Sequence, residues 1–272
     1  GSNSLLSIGP GAGAAMTSDS DNNIAIGQDA LFSNSIGDEN VAIGKDALSS
    51  NVSGYGNIAI GYQTLQNNTN VRNIAIGYNA LRGNVSGYNN VAIGYENLEE
   101  HISGDENTAV GRGSLIYNID GLGNVGVGTW SLAYGATGSF NTGIGYAAMS
   151  ESEGESNTTV GVFSLNRNID GDNNTAMGSY SMYYSKGENN TALGYEAGFG
   201  IVGQSTGSNN IFIGYKAGDN YRTASNNIAI GYDIDLPSST GSNQLVIGNL
   251  IFGIGIDGTG TTISSGNIGI GV

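Results

Sequence analysis

The sequence predicts an all-β fold, a parallel β-solenoid (β-roll) built from short repeated coils. Three observations predict it. One phrase recurs with small edits, as in "GNIAIGYQTL" (56–65), "RNIAIGYNAL" (72–81) and "NNVAIGYENL" (89–98). The glycine that closes it falls at Gly27, Gly44, Gly61, Gly77, Gly94, Gly111, Gly128, Gly145, Gly161, Gly178, Gly194, Gly214, Gly231, Gly248 and Gly271, at a nearly constant step that lengthens only before Gly214 and before Gly271. The residues just before that glycine alternate large and small, which is the period of a strand.

The period, about 17 residues, is shorter than that of helical repeats or propeller blades and fits a single coil of a solenoid. Glycine is abundant (47 of 272 residues), but proline is nearly absent (2) and no three-residue glycine period exists. Collagen and Pro/Gly-rich disorder are thereby set aside, and the glycines belong to an ordered, turn-rich repeat.

Within each coil the strand comes first. The position before the closing glycine is aliphatic (Ile26, Ile60, Val110, Met177, Ile230), and two residues earlier stands Ile, Val, Leu or Thr (Ile24, Val41, Thr108, Thr175, Ile228). Between them sits a small residue such as Ala25, Ala42, Ala59, Gly126 or Ala192. Large residues therefore face one side and alanines the other. The expectation is that the large residues stack coil on coil into an aliphatic core, leaving the stripe of Ala25, Ala59, Ala75 and Ala92 as a flat surface for another subunit. Counting every landmark together with the degenerate first coil gives about sixteen coils.

Four residues after the glycine stands Leu or Met (Leu31, Leu48, Leu65, Leu81, Leu98, Leu115, Leu132, Met149, Leu165, Met182), followed in several coils by a second apolar site (Val52, Val85, Ile102, Ile119, Ile169). A second glycine lies seven before the landmark, as at Gly37, Gly54, Gly87 and Gly104. Each coil thus reads as strand, glycine corner, short second strand, glycine corner, since glycine supplies the positive φ that corners need. An asparagine four before the landmark recurs from Asn23 to Asn267, with Gln244 in one slot. It reads as a turn-capping residue whose amides hydrogen-bond in a ladder from coil to coil. Residues 1–20 read as a cap or degenerate first coil, 21–236 as the solenoid and 237–272 as a distinct end region.

At these repeats, over roughly 21–236, the chain resembles the head repeats of trimeric autotransporter adhesins and the repeat shafts of phage tail fibres. The resemblance implies a left-handed roll and a homotrimer. "IDGTGTTISSGNIGIGV" (256–272) is similar to the segment that precedes a self-cleaving intramolecular chaperone in fibre and tailspike proteins. The stretch lacks the adhesins' membrane-anchor barrel and coiled-coil stalk, which favours the fibre reading.

Composition narrows the chemistry. The chain has 23 acidic and 8 basic residues, a net charge of −15, and no basic cluster for phosphate, so nucleic acid is not an expected partner. No apolar run reaches the length of a membrane span. Without cysteine there is no thiolate chemistry, and the one histidine, His101, reads as a solvated loop residue, so neither a Cys/His metal site nor a catalytic triad is expected. "NIDGDNN" (168–174) offers alternating oxygens (Asn168, Asp170, Asp172, Asn174) but lacks the glycine placement and distant Glu of an EF-hand. It reads as a turn. The carboxylate pairs Asp38/Glu39, Glu99/Glu100 and Asp105/Glu106 stand in repetitive corners, which argues against a unique hydrolytic pair. No catalytic residue, metal site or cofactor is expected, and the chain is not expected to be an enzyme.

The position after the landmark is tyrosine in seven coils: Tyr62, Tyr78, Tyr95, Tyr146, Tyr195, Tyr215 and Tyr232. It reads as a stabilising aromatic ladder or as a strip that stacks on a receptor. The function expected is a structural and adhesive fibre segment, extracellular on a virion or cell surface, holding or forming a receptor-binding surface for a host glycan or protein. Two alternatives stand beside it. One is a tailspike-like glycan hydrolase. The other is an ice-binding solenoid, suggested by Thr108, Thr142, Thr158, Thr175 and Thr191 but weakened by their place in a slot expected to face the core.

Overall fold

The computed structural model describes residues 5–135, 137–248, 251–254 and 267–270. It is an all-β, parallel β-solenoid of about 14 turns with coils of about 17 residues, in two compact units, residues 1–140 and 141–272. Most of the 256–272 segment singled out in the sequence lies outside the described residues.

In the first unit eight strands form the rungs: β1 (Leu6–Ile8), β2 (Ile24–Ile26), β3 (Val41–Ile43), β4 (Ile58–Ile60), β5 (Ile74–Ile76), β6 (Val91–Tyr95), β7 (Thr108–Arg112) and β8 (Val125–Thr129). Each pairs parallel with the next, and like lands on like: Ile58 opposite Ile74, Ala59 opposite Ala75, Ile60 opposite Ile76. The second unit repeats the pattern with β9 (Thr142–Ile144), β10 (Thr158–Val160), β11 (Thr175–Met177), β12 (Thr191–Leu193), β13 (Ile211–Ile213), β14 (Ile228–Ile230) and β15 (Gln244–Ile247). There the parallel stacking stops. Strands β16 (Ile251–Ile254) and β17 (Asn267–Ile270) pair antiparallel, β15 with β16 and β16 with β17. The motif before Gly271 is therefore not a further parallel rung, which is why counting landmarks overstates the number of coils.

The core is inverted relative to the sequence expectation. The alanines of the strands, Ala25, Ala42, Ala59, Ala75, Ala92 and Ala109, are fully buried inside the coil. The flanking Ile and Val residues point outward and are half-buried, with Ile93, Ile144 and Ile247 exposed. The alanine stripe thus faces no second subunit. The cause is the thinness of the coil, whose space opposite the strand is already filled by the Leu/Met row (Leu31, Leu48, Leu65, Leu81) and by buried amides. Only a small side chain fits between them, a methyl in most coils and Thr159 in one.

One coil shows what widening does. Where the step lengthens before Gly214, Phe212 takes the alanine slot and packs against Tyr221, ring centroids 4.9 Å apart, with both side chains fully buried. Gly198 makes the room, since a Cβ there would lie 2.5 Å from the Phe212 ring.

Among the described residues the expected second strand of each coil is absent. From Gly27 to Gly214 the four or so residues after the landmark form a run of turns in which the residues two and four positions on have left-handed backbone, such as Asp29 (φ 57°) and Leu31 (φ 49°), or Asp46 (58°) and Leu48 (51°). Non-glycine residues rarely hold this conformation. Here the coil-to-coil hydrogen bonds fix it: Asp46 N–H donates back to Gln28 O (2.9 Å), while Leu48 N–H donates forward to Thr64 O (3.1 Å). The backbone stays satisfied without a strand. Where another coil stacks on it, the landmark glycine admits no side chain for two reasons, both visible at Gly161. Its φ is +139°, and a Cβ would lie 2.6 Å from the Gly178 carbonyl of the next coil.

Candidate functional site

Three kinds of row repeat along each unit, buried amides, the outward strand face and the aromatic strip, and each follows from fixed positions in the coil.

The first row is interior and polar. The asparagines before the strands, Asn23 to Asn124 in the first unit and Asn141 to Asn227 in the second, are almost fully buried. Asn40 shows the pattern. Its backbone N–H donates to Asn23 Oδ1 (2.9 Å), its Nδ2 donates to Gly54 O across the coil (2.8 Å), and its Oδ1 accepts from Asn57 N–H and Nδ2 (both 3.0 Å). This is the amide ladder read from the sequence, and it ties each strand to the opposite corner.

A second buried amide row escaped the sequence reading: Asn34, Asn51, Asn68, Asn84, His101 and Asn118, seven residues after successive landmarks. Asn51 Nδ2 donates to Asn34 Oδ1 (3.0 Å) and to Gly54 O (3.0 Å). His101 is one rung of this row and not a solvated loop residue. It is fully buried, with Nδ1 2.7 Å from Asn118 O and Nε2 2.6 Å from Gly104 O. Burial pulls its pKa below the ordinary value, against the opposing pull of the two carbonyls and of Asp105 and Asp120. Asn168 belongs to the same kind of row in the second unit, donating to Gly171 O (2.8 Å), so its side chain is spent on the turn. Among the described residues no group of His, Cys, Asp or Glu is arranged to hold a metal ion.

The second row is the outward face of the strands. Its two columns flank the buried alanines. In the first unit both are aliphatic apart from Thr108. In the second unit one column carries Thr142, Thr158, Thr175 and Thr191 in direct register, beside Ile144, Val160, Met177 and Leu193. These threonines face outward, with Thr158 and Thr191 exposed, and not toward the core as expected. The objection to a surface role for them therefore falls.

The third row carries the seven tyrosines, all exposed, from 38% at Tyr62 to 75% at Tyr232. In the first unit Tyr62, Tyr78 and Tyr95 stack with centroids 5.2 Å apart and planes within 11°, and the Arg112 guanidinium lies 5.5 Å from the Tyr95 ring. In the second unit Tyr195, Tyr215 and Tyr232 stack at 5.4 and 5.0 Å. Tyr146 stands apart from these and meets Phe163 edge-on at 5.3 Å. Phe163 and Tyr180 continue the aromatic row between them, and neither was read as part of it. They stand two positions after the landmark, where left-handed backbone (φ 54° and 57°) swings the side chain beside the tyrosine column. Charges rim the strip: Lys216 Nζ lies 3.4 Å from Glu196 Oε2 and 5.7 Å from the Tyr215 ring. Hydrogen bonding to Glu196 raises the Tyr195 pKa, as Glu96 does for Tyr95.

The paired carboxylates serve coil-to-coil contacts. Asp38 Oδ1 accepts from Asp21 N–H (2.7 Å), Asp105 Oδ1 from Tyr88 N–H (3.0 Å), and Glu99 and Glu100 both pair with Arg82 (3.1 and 3.3 Å). Among the described residues no helix is long and apolar enough to cross a membrane.

Comparison with family models, with curated proteins and with solved structures returns no match to this chain.

Proposed function

We propose that this chain is a structural and adhesive fibre segment, of tail-fibre or adhesin type, that works as a homotrimer outside the cell. The observation that carries the reading is the outward strand face. In the first unit two columns of aliphatic residues, rung after rung, lie half-exposed on the strand face. A monomer would leave this strip in water, and long apolar strips mark protein interfaces. Two further copies of the chain cover it best, because a column that repeats at the rung spacing is matched by another column with the same repeat. The interface is thus the Ile/Val face. The tyrosine strip lies on a different row and stays available for a host-surface glycan or protein receptor, gaining strength by multivalency over many coils.

The experiment is incubation of the protein with surface polysaccharides of candidate hosts, with binding and chain length both measured. Binding that weakens when Tyr195, Tyr215 and Tyr232 become Ser, with no shortening, supports the reading. Shortened chains that depend on one acidic pair would replace it with the hydrolase. A second reading is favoured by one observation, the outward threonine column at Thr142, Thr158, Thr175 and Thr191. It is ice binding by an unassembled strand face, and thermal hysteresis from a monomeric protein would establish it.

A further inference from the structure

We propose a discrete binding site for an acidic saccharide in the second unit, where the coil period breaks. Asn190 and Asn210 hold the same place in successive coils and stand 20 apart in the chain, whereas Asn210 and Asn227 stand 17 apart. The extra length makes a glycine-rich loop with positive φ at Gly198, Gly200 and Gly203 (56°, 77° and 68°). The loop closes on itself, with Gln204 N–H donating to Ile201 O (2.9 Å), and lifts Val202 outward to 62% exposure. Val202 becomes one wall of a groove of about 220 Å³ whose other sides are Glu151, Arg167, Ile169, Tyr184 and Lys186. This volume is below the roughly 300–1,000 Å³ of pockets for drug-sized ligands, so the groove suits one ring of a longer chain.

The lining fixes the chemistry. Tyr184 is held edge-on by Tyr183 (4.6 Å, 90°) and by Phe199 (5.3 Å, 88°). Its ring is a fixed platform for the C–H face of a sugar. The Arg167 guanidinium stands 5.9 Å from both the Tyr183 and Tyr184 rings, and its Nε meets Glu151 Oε2 at a long 3.7 Å. Lys186 adds a second cation. Two of the chain's 8 basic residues thus line a groove with one carboxylate, leaving a locally positive spot on a molecule of net charge −15. Such a spot selects an anion. The apolar walls at Ile169 and Val202 and the aromatic platform would be idle for a bare inorganic anion, whereas a uronic or sialic acid ring uses all of them. Glu151 remains as an acceptor for a sugar hydroxyl.

This inference rests on the receptor-binding reading and adds to the tyrosine strip one discrete site for one ligand class. The test titrates the full chain with trigalacturonic acid and sialyllactose, with maltotriose and lactose as neutral controls and oligoglutamate as a peptide control. Ligand-observed NMR and calorimetry read the result at low and high salt. The expected result is millimolar or tighter binding of an acidic saccharide, weakened at least tenfold by Arg167→Gln with Lys186→Gln, several-fold by Tyr184→Ser, and by added salt. The Tyr55→Ser variant, exposed in the first unit and outside both the groove and the tyrosine strip, should bind as the parent does. Tyr184 is half-buried against Tyr183 and Phe199, so matching circular dichroism and thermal midpoints verify that each variant is folded, and the charge variants carry the test if Tyr184→Ser is not. Lys186→Glu gives a second charge variant. Absence of binding by either acidic saccharide, binding untouched by the groove variants, or equal binding of oligoglutamate would overturn the proposal. Host polysaccharide binding that survives every groove variant would sink this site and keep the adhesive function. Saccharide binding in the groove without any host polysaccharide binding would do the reverse.

Discussion

Replacing Asn73 with Ala tests the amide ladder at one rung. The Asn73 side chain is fully buried and makes four hydrogen bonds. Its Nδ2 donates to Asn68 Oδ1 (3.1 Å) and Gly87 O (2.8 Å), and its Oδ1 accepts from Asn90 N–H (3.0 Å) and Asn90 Nδ2 (3.3 Å). Three of the partners keep another bond: Asn84 Nδ2 still serves Asn68 Oδ1 and Gly87 O, and Asn90 Nδ2 still reaches Gly104 O. The Asn90 backbone N–H does not. One orphaned buried donor costs about 1–3 kcal/mol, and three lost bonds with partly compensated partners add about 1–2 kcal/mol. The expected loss is therefore about 3 kcal/mol. Denaturant unfolding followed by circular dichroism reads it, and hydrogen exchange should place the damage in the coils flanking Asn73, since a solenoid is coupled mainly to its nearest neighbours. The exposed Tyr78→Ser should cost less than about 1 kcal/mol. An Asn73→Ala protein within about 0.5 kcal/mol of its parent would refute the claim that the ladder holds the coils.

Three other outcomes follow from the inverted core and the buried charges. Ala75→Leu, inside the coil, should lower stability by about 1–3 kcal/mol or more by overpacking, whereas Ile76→Asp, facing out, should leave the coil folded and abolish assembly; unfolding by Ile76→Asp in the isolated chain would contradict the assignment of faces. Because burial depresses the His101 pKa below 6.5, the unfolded chain takes up that proton first, so this group's stabilising contribution is lost as pH falls from 6.5 through the lowered value. His101→Asn, which restores the amide of the row, should flatten that acid-side loss in thermal melts. Asp219 is pushed from 3.8 up to about 6, first by burial and then by Asp235; the folded state holds this proton more tightly, so stability falls as pH rises from about 4 to about 6 and stays lost above. Asp235→Asn should recover on the order of 1 kcal/mol at pH 7, after solvent screening, and nothing at pH 4.

The period, the strands, the amide ladder and the tyrosine column were legible in the sequence because each is a single position repeated over many coils. The inside and outside of the strand were not. Alternation shows that Ile76 and Ala75 face opposite ways, but the usual inference that the larger residue is buried fails when the coil is only wide enough for a methyl group beside Leu81. The turn run after each landmark was misread as a strand because Leu31 and Leu48 hold left-handed backbone that no propensity favours. The second amide row was visible at Asn34, Asn51, Asn68, Asn84 and Asn118, yet His101 interrupts it with a different residue doing the same work. The groove at Tyr184 left only one trace in the sequence, the long step before Gly214, and its lining comes from four coils that a linear reading keeps apart.

The mass of the folded protein in solution tests the central claim most directly, because the half-exposed Ile/Val face requires partners. One chain is 27.7 kDa. Light scattering on the eluting peak should give three times that mass, falling to one chain in Ile76→Asp. A parent protein that elutes as a folded 27.7 kDa monomer at micromolar concentration would contradict the account.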